Sequence, residues 1–171
     1  VFSGDKQLPY VETDQKDGRD IYAKTKSLGE IYSKKHLTIR TSVIGPEIIN
    51  GSGELFHWFM NQSGVIQGFT KAIWSGVTTI ELAKAVKWFI NNNTTGLYHL
   101  TNGIPIKKYD LLRLFKKYTN HNIEIEKVDG VVTNKSFEDT RLEINYQLPK
   151  YDNMIKEMVL LIKNKKKLYS H

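Results

Sequence analysis

Hydrophobic and polar residues follow two periodicities that alternate along the chain. Apolar residues at helical spacing predict amphipathic helices, whereas runs rich in β-branched residues predict strands. The predicted helices cover 21–35, 54–62, 78–91, 108–118 and 152–164, and the predicted strands cover 37–44, 96–100 and 122–128, with an irregular strand and loop at 64–76. A chain that alternates strands with helices in this way is predicted to be an α/β protein with a parallel sheet.

Local signals mark two of these boundaries. Thr78 is followed three residues later by Glu81, the spacing of a capping box at a helix start. The strand at 37–44 is closed by Gly45 and Pro46. A turn is predicted at Gly51-x-Gly53, but Phe56 stands where a dinucleotide-binding fingerprint needs its third glycine, so this turn predicts no phosphate loop.

Composition narrows the class of protein. The 171 residues are 40% hydrophobic and include no cysteine, which predicts one compact domain, or two joined lobes, without disulfides or a thiolate site. The net charge is +7, and four lysines lie within residues 163–167, where a solvated helix end explains them better than a nucleic-acid site. The five histidines show no metal-ligand spacing. No membrane span or signal pattern is visible, and we expect a cytoplasmic protein.

Tyr22 and Lys26 are the strongest candidates for chemistry. Residues four apart share one face of a helix, so the Lys26 ammonium is expected to lie near the Tyr22 phenol and favour its ionised form. A tyrosine in this setting is able to exchange a proton during catalysis. The alternative is an exposed amphipathic helix with a solvated lysine. A second pair at this spacing, Tyr146 and Lys150, contains Pro149, which disfavours the helix that the pair would need.

Several motifs in a fixed order carry a family resemblance: Val1-Phe2-Ser3-Gly4, Tyr22-Ala23-Lys24-Thr25-Lys26, residues 37–46, Gly76-Val77-Thr78-Thr79, Gly96-Leu97-Tyr98-His99-Leu100 and Lys135-Ser136-x-x-Asp139-Thr140-Arg141. Over nearly its whole length the chain resembles the extended short-chain dehydrogenase/reductases, in particular the dTDP-4-dehydrorhamnose reductase-like branch that acts on nucleotide sugars. The resemblance implies the C-terminal part of a Rossmann-like NAD(P)-binding fold with parallel strands, plus a small α/β substrate-binding lobe. Residues 1–50 and 76–102 would belong to the Rossmann-like part, and 51–75 and 103–171 to the lobe.

The resemblance also assigns roles at the cofactor. Tyr22 would be the general acid that protonates the C4 oxygen of a nucleotide-linked 4-keto-deoxysugar, and Lys26 would support it and bind the nicotinamide ribose. Thr41, Ser42 and Val43 would lie beside the nicotinamide of NADP or NAD. The Gly-rich cofactor loop and the catalytic Ser or Thr of the family would precede Val1. We therefore expect a fragment of an enzyme, inactive alone, whose candidate partners are the missing N-terminal half and a second copy in a homodimer.

On the substrate side, the resemblance suggests Lys135 and Arg141 as ligands of the diphosphate. A surface ion pair with Glu138 or Asp139 is an equally good explanation of both. Lys71 and Trp74 are candidates for the sugar pocket, although a plain packing role explains Trp74 as well. Lys135 stands where this branch would be expected to carry arginine, which puts a bidentate phosphate contact in question.

Two other classes of protein remain open at this stage. The first is a non-catalytic binding or regulatory subunit built on the reductase scaffold, against which the intact Tyr22 and Lys26 pair argues. The second is a stand-alone interaction domain, which should fold cooperatively and remain monodisperse.

Overall fold

The computed structural model describes residues 1–47 and 53–165. Within these ranges the chain forms a mixed α/β fold with parallel strand pairs, as the sequence predicts. The helices are α1 (Ile21–Leu28), α2 (Leu55–Met60), α3 (Thr79–Asn91), α4 (Lys108–Thr119) and α5 (Tyr151–Asn164). The strands are β1 (Leu37–Arg40), β2 (Val43–Ile44), β3 (Gly64–Phe69), β4 (Ala72–Trp74), β5 (Val77–Thr78), β6 (Gly96–His99), β7 (Ile106–Lys107), β8 (Ile123–Val128) and β9 (Thr133–Lys135). No helix in the described part is long and apolar enough to cross a membrane.

Strand pairing divides the described chain into two groups. β1 pairs with β6 and β2 pairs with β5, and both pairs are parallel. β3 is parallel to β8, while β4 lies between the antiparallel β7 and the parallel β9. Each strand pair thus joins strands that the sequence analysis assigns to the same part of the protein, either the Rossmann-like part or the substrate-binding lobe. We use "the lobe" for α2, β3, β4, β7, α4, β8, β9 and α5. The division into two domains itself stays a prediction.

Two elements are shorter than the sequence predicts. The helix predicted at 21–35 ends at Leu28, and Gly29 is its C-cap, with its N–H donated to the carbonyl of Thr25. The strand predicted at 37–44 is broken at Thr41 and Ser42, where the chain leaves β6 and turns to pair with β5. In this break Ser42 accepts a hydrogen bond from the N–H of Val77.

Gly76 permits that change of partner. A Cβ atom at this position would lie 2.2 Å from the carbonyl oxygen of Ser42 and 2.5 Å from the Trp74 ring. Since no real Cβ approaches a backbone oxygen so closely, any other residue would push β5 away from the β1–β2 junction. The turn predicted at Gly51-x-Gly53 falls mostly outside the described residues, as do Lys166 and Lys167 of the basic tail.

Two large clusters of buried side chains form the core. The first lies mainly in the lobe, centres on Phe56, Phe59, Phe115, Ile155 and Met158, and also includes Ile44 of β2. The second joins the lobe to the other strands, since Met154 and Tyr151 of α5 pack with Phe89, Tyr98 and Val77. α5 is therefore the helix that both clusters share.

The Thr78 cap should contribute measurably to stability. Its buried hydroxyl accepts a hydrogen bond from the N–H of Glu81 at 3.3 Å, as the capping box predicts, while the Glu81 carboxylate accepts from Lys84 at 2.7 Å. We expect Thr78→Ala to lower the free energy of unfolding by about 1 kcal/mol, measured by urea denaturation. Thr94→Ala, on a loop residue that caps no helix, is the control, and equal losses in the two variants would contradict the capping role.

Candidate functional site

One cavity of about 600 Å³ brings together six of the nine residues that the sequence singles out. Its wall includes Tyr22 and Lys26 of α1, Thr41, Ser42 and Val43 of the β1–β2 junction, and Lys135 of β9. These residues come from three separate parts of the chain. Their convergence on a single cavity makes this the candidate active site.

The first turn of α1 presents Tyr22 to the cavity. Asp20 caps the helix by accepting a hydrogen bond from the N–H of Ala23 at 2.6 Å, and Ala23 is the buried residue by which the helix packs. The preceding residue, Tyr22, is 70% exposed. The Lys26 Nζ lies 5.6 Å from the centroid of the Tyr22 ring. The spacing of four residues has thus placed the amine and the phenol side by side, as the sequence predicts.

The β1–β2 junction forms a second wall. The Thr41 hydroxyl donates to the carbonyl of Leu100 at 2.9 Å, and the Ser42 carbonyl accepts from Val77 at 2.9 Å. Both contacts hold the junction to neighbouring segments. The Val43 side chain remains exposed on the cavity side.

Lys135 reaches the cavity because the start of the chain is fastened to β9. Asn134 donates its N–H to the carbonyl of Gly4 at 2.8 Å. Further along, Tyr10 pairs with Phe137 in a parallel bridge. These contacts bring a residue more than a hundred positions away in sequence next to α1.

Several cavity residues were not predicted from the sequence. Glu30 and Arg40 form a buried ion pair in the wall, and Asp20 and Glu54 also line the cavity. Arg40 could have been predicted as a residue of the site, because it is a charged residue at the end of an apolar strand. With Lys26 and Lys135, the cavity is lined by charges of both signs.

The three remaining candidates lie outside the cavity lining. Lys71 is exposed and pairs with Asp129 at 2.8 Å, and Trp74 packs against the Tyr151 ring with 5.8 Å between centroids. Arg141 donates from Nη1 to the carbonyl of Thr95 at 2.6 Å and pairs with Glu143 at 2.7 Å. Arg141 therefore binds the chain at the start of β6. The cavity residue Thr41 follows the carboxyl end of β1, which is parallel to β6, so Arg141 lies at the opposite end of this strand pair from Thr41. Its ion-pair partner is Glu143, and neither of the two acids considered from the sequence.

Solved structures with the same fold are found among nucleotide-sugar enzymes. A dTDP-4-dehydrorhamnose reductase from Clostridium acetobutylicum superposes with a TM-score of 0.76 at 18% identity, covering 95% of this chain and 63% of that one. The enzyme of the same name from Bacillus anthracis, in complex with NADP, gives 0.74 at 18% identity over 94% and 62%. A UDP-glucose 4-epimerase from Bifidobacterium longum, in complex with NAD⁺ and UDP, gives 0.74 at 14% identity over 99% and 62%.

These likenesses establish the fold. The Rossmann-like class predicted from the sequence is confirmed, and the chain spans about three fifths of the length of these neighbours. No protein-family model matches the sequence, and no curated protein sequence does.

Proposed function

We propose that this chain is the C-terminal part of an NAD(P)-dependent oxidoreductase that reduces the 4-keto group of a nucleotide-linked deoxysugar. The observation that carries the proposal is the cavity in which Tyr22, Lys26, the β1–β2 junction and Lys135 meet. Neighbours in fold that bind NADP or NAD⁺, one of them together with UDP, support it. The plain alternative for Tyr22 and Lys26, a solvated helix face, does not explain why the other candidates converge on the same cavity.

Tyr22 is the proton donor in this proposal. Tyr22 lines the cavity, and the Lys26 ammonium lies 5.6 Å from the centroid of its ring. A reduced nicotinamide, if bound beside the β1–β2 junction, would supply the hydride. Tyr22 supplies the proton to the oxygen that becomes a hydroxyl, and Lys26 binds the ribose hydroxyls.

The residues present fit the nicotinamide end of such a cofactor. The cavity has a volume of about 600 Å³, and its lining residues include lysines and residues with hydroxyl groups, which are hydrogen-bond partners for such a ligand. The pyrophosphate would need backbone N–H groups at a Gly-rich helix start, and none of the described residues forms such a loop. We therefore assign the rest of the cofactor site to a complementary nucleotide-binding half.

Lys135 is the residue that we assign to the substrate diphosphate. Lys135 lines the same cavity as Tyr22, and a lysine attracts phosphate as a point charge, without the bidentate geometry of arginine. Lys71, Trp74 and Arg141 have structural partners elsewhere. Their substrate roles stay predictions that the observed contacts do not favour.

The open edge of β1 is where we place the complementary half. Among the described strands β1 pairs only with β6, although parallel strands are normally buried between neighbours. Around this edge α1 and the following loop expose Ile21, Leu28 and Ile31, which are 81%, 86% and 57% exposed. An added α/β half would cover these side chains and continue the sheet.

Reconstitution tests the proposed function. The chain is combined with a nucleotide-binding half taken from a dTDP-4-dehydrorhamnose reductase, and NADPH or NADH oxidation is followed with a nucleotide-linked 4-ketosugar. Oxidation that requires both halves and the ketosugar supports the proposal. A stable complex that binds the cofactor and the ketosugar without turnover would instead identify a non-catalytic subunit.

A further inference from the structure

The Glu30 carboxylate is an extensively hydrogen-bonded charged group in the cavity wall. It accepts a bidentate pair of hydrogen bonds from Arg40, with Nε to Oε1 at 2.7 Å and Nη2 to Oε2 at 2.9 Å. Tyr32 donates its hydroxyl to Oε2 at 2.6 Å, and the Lys16 Nζ lies 3.2 Å away. The side chains of Glu30 and Arg40 are only 6% and 5% exposed. This is a buried, fully hydrogen-bonded ion pair.

The pair joins the two elements that carry the proposed chemistry. Glu30 lies two residues beyond the end of α1, and Lys26 is in the last turn of that helix. Arg40 is the last residue of β1 and is followed directly by Thr41. Lys16 adds a second tie by donating to the carbonyl of Ser27 at 3.0 Å. The end of α1 is therefore fastened to the end of β1.

Arg40 also contacts a second buried side chain, that of His99. Its Nη1 lies 3.3 Å from Nε2 of His99, a fully buried residue whose Nδ1 lies 3.0 Å from the carbonyl of Tyr10. Since a carbonyl only accepts, Nδ1 carries the proton, and Nε2 is the acceptor for the guanidinium. The guanidinium thus has partners on both sides and little freedom to turn.

Such a pair adds orientation more than stability. Burying two charges costs desolvation energy that their attraction roughly repays, whereas the planar fork of arginine allows only a narrow range of geometries. We propose that Glu30 and Arg40 are positioning residues, which set the distance between the Tyr22 and Lys26 pair on α1 and the cofactor wall at Thr41–Val43. This inference concerns the site of the proposed function and rests on that function. The effect of the ion pair on the position of α1 is testable without any cofactor.

The test uses Glu30→Gln, which keeps the shape and removes the charge, and Arg40→Lys, which keeps the charge and removes the fork. Hydrogen exchange and NMR are measured on the chain itself. We expect the amides of α1 to exchange about tenfold faster in both variants while those of α4 are unchanged. The nuclear Overhauser contact between the Lys26 side chain and the Tyr22 ring should weaken in both.

Three controls separate positioning from general stability. Ile155→Val removes a buried methyl group in the lobe, and Asp129→Asn breaks the exposed pair with Lys71; neither should change α1. Tyr32→Phe removes one hydrogen bond from the carboxylate and should give a smaller change of the same kind, which keeps the test informative if Glu30→Gln fails to fold. The positioning role is overturned if α1 is unchanged in the Glu30 and Arg40 variants, or if Ile155→Val changes it equally. In the reconstituted enzyme both variants should lower kcat more than they raise KM.

Acid provides an independent check on the same carboxylate. Burial by itself would raise the pKa of Glu30, but the hydrogen bonds from Arg40 and Tyr32 lower it to about 2 from an ordinary value of 4.5. A carboxylate with a depressed pKa stabilises the fold above its unfolded-state pKa, and this contribution disappears as the pH falls through the folded value. The titratable groups that face it are Lys16, Tyr32, Arg40 and the amino group of Val1, with His99 behind the guanidinium.

We therefore expect the difference in denaturation midpoint between the wild type and Glu30→Gln to be constant above about pH 5 and to shrink between pH 4.5 and 2. Urea titrations at several pH values measure it. A difference that does not change with pH would show that the carboxylate is not ionised in the folded protein and would contradict the ion pair.

Discussion

Tyr22→Phe should lower kcat of the reconstituted enzyme by about 10²–10⁴-fold, the range of a lost general acid. The substitution removes one hydroxyl and leaves the ring beside Lys26, so the shape of the cavity wall is preserved. Affinity for NADPH or NADH should remain nearly the same, because the proton donor contributes to the chemical step more than to binding. Single-turnover rates and cofactor titrations by fluorescence measure the two effects separately.

Matched variants make this prediction specific to the cavity. Tyr109→Phe removes a hydroxyl from a tyrosine of α4 that does not line the cavity, and it should leave turnover unchanged. Lys26→Met should reduce both turnover and cofactor affinity, whereas Lys24→Met, on the same helix but not in the cavity lining, should reduce neither. If Tyr22→Phe kept wild-type turnover, another group would be the proton donor and the assignment would be wrong.

The sequence indicated those parts of the fold and of the candidate site that depend on local pattern. A spacing of four residues was enough to place Lys26 beside Tyr22, because helix geometry fixes it. The Thr78 cap was also predictable, since capping involves residues three apart. A run rich in β-branched residues predicted β1, residues 96–100 were predicted as a second strand, and the alternation of elements predicted that the two would be parallel.

Features that depend on residues distant in the sequence could not be predicted from local pattern. The break at Thr41 and Ser42 arises because β5 offers a new partner, and nothing in the run 37–44 shows it. Lys135 and Arg141 are six residues apart, yet one faces the cavity and the other binds the carbonyls of Thr95 and Leu97. Which of two nearby cations reaches a site depends on the path of the intervening loop, and composition does not determine that path.

The second large effect is expected in the core of the lobe. Phe115 of α4 is fully buried, and its ring centroid lies 5.1 Å from that of Phe56 and 5.5 Å from that of Phe59. Phe115→Ala should lower the free energy of unfolding by about 3–5 kcal/mol, since it removes the transfer free energy of the ring and leaves a cavity. A domain of this kind has only about 5–15 kcal/mol in total, so the variant should be close to unfolding at physiological temperature.

Urea denaturation followed by circular dichroism measures the loss of stability. Leu142→Ala is the control, because Leu142 is 95% exposed and its substitution should change stability by less than about 0.5 kcal/mol.

The lobe carries Lys135 through β9, which pairs with β4, while α1 belongs to neither large cluster of buried side chains. Partial destabilisation should therefore loosen Lys135 before it separates Tyr22 from Lys26. Where the folded fraction is high enough to assay, Phe115→Ala should raise KM for the nucleotide sugar more than it lowers kcat. A loss of less than about 1 kcal/mol would mean that the three phenylalanines do not hold the lobe together.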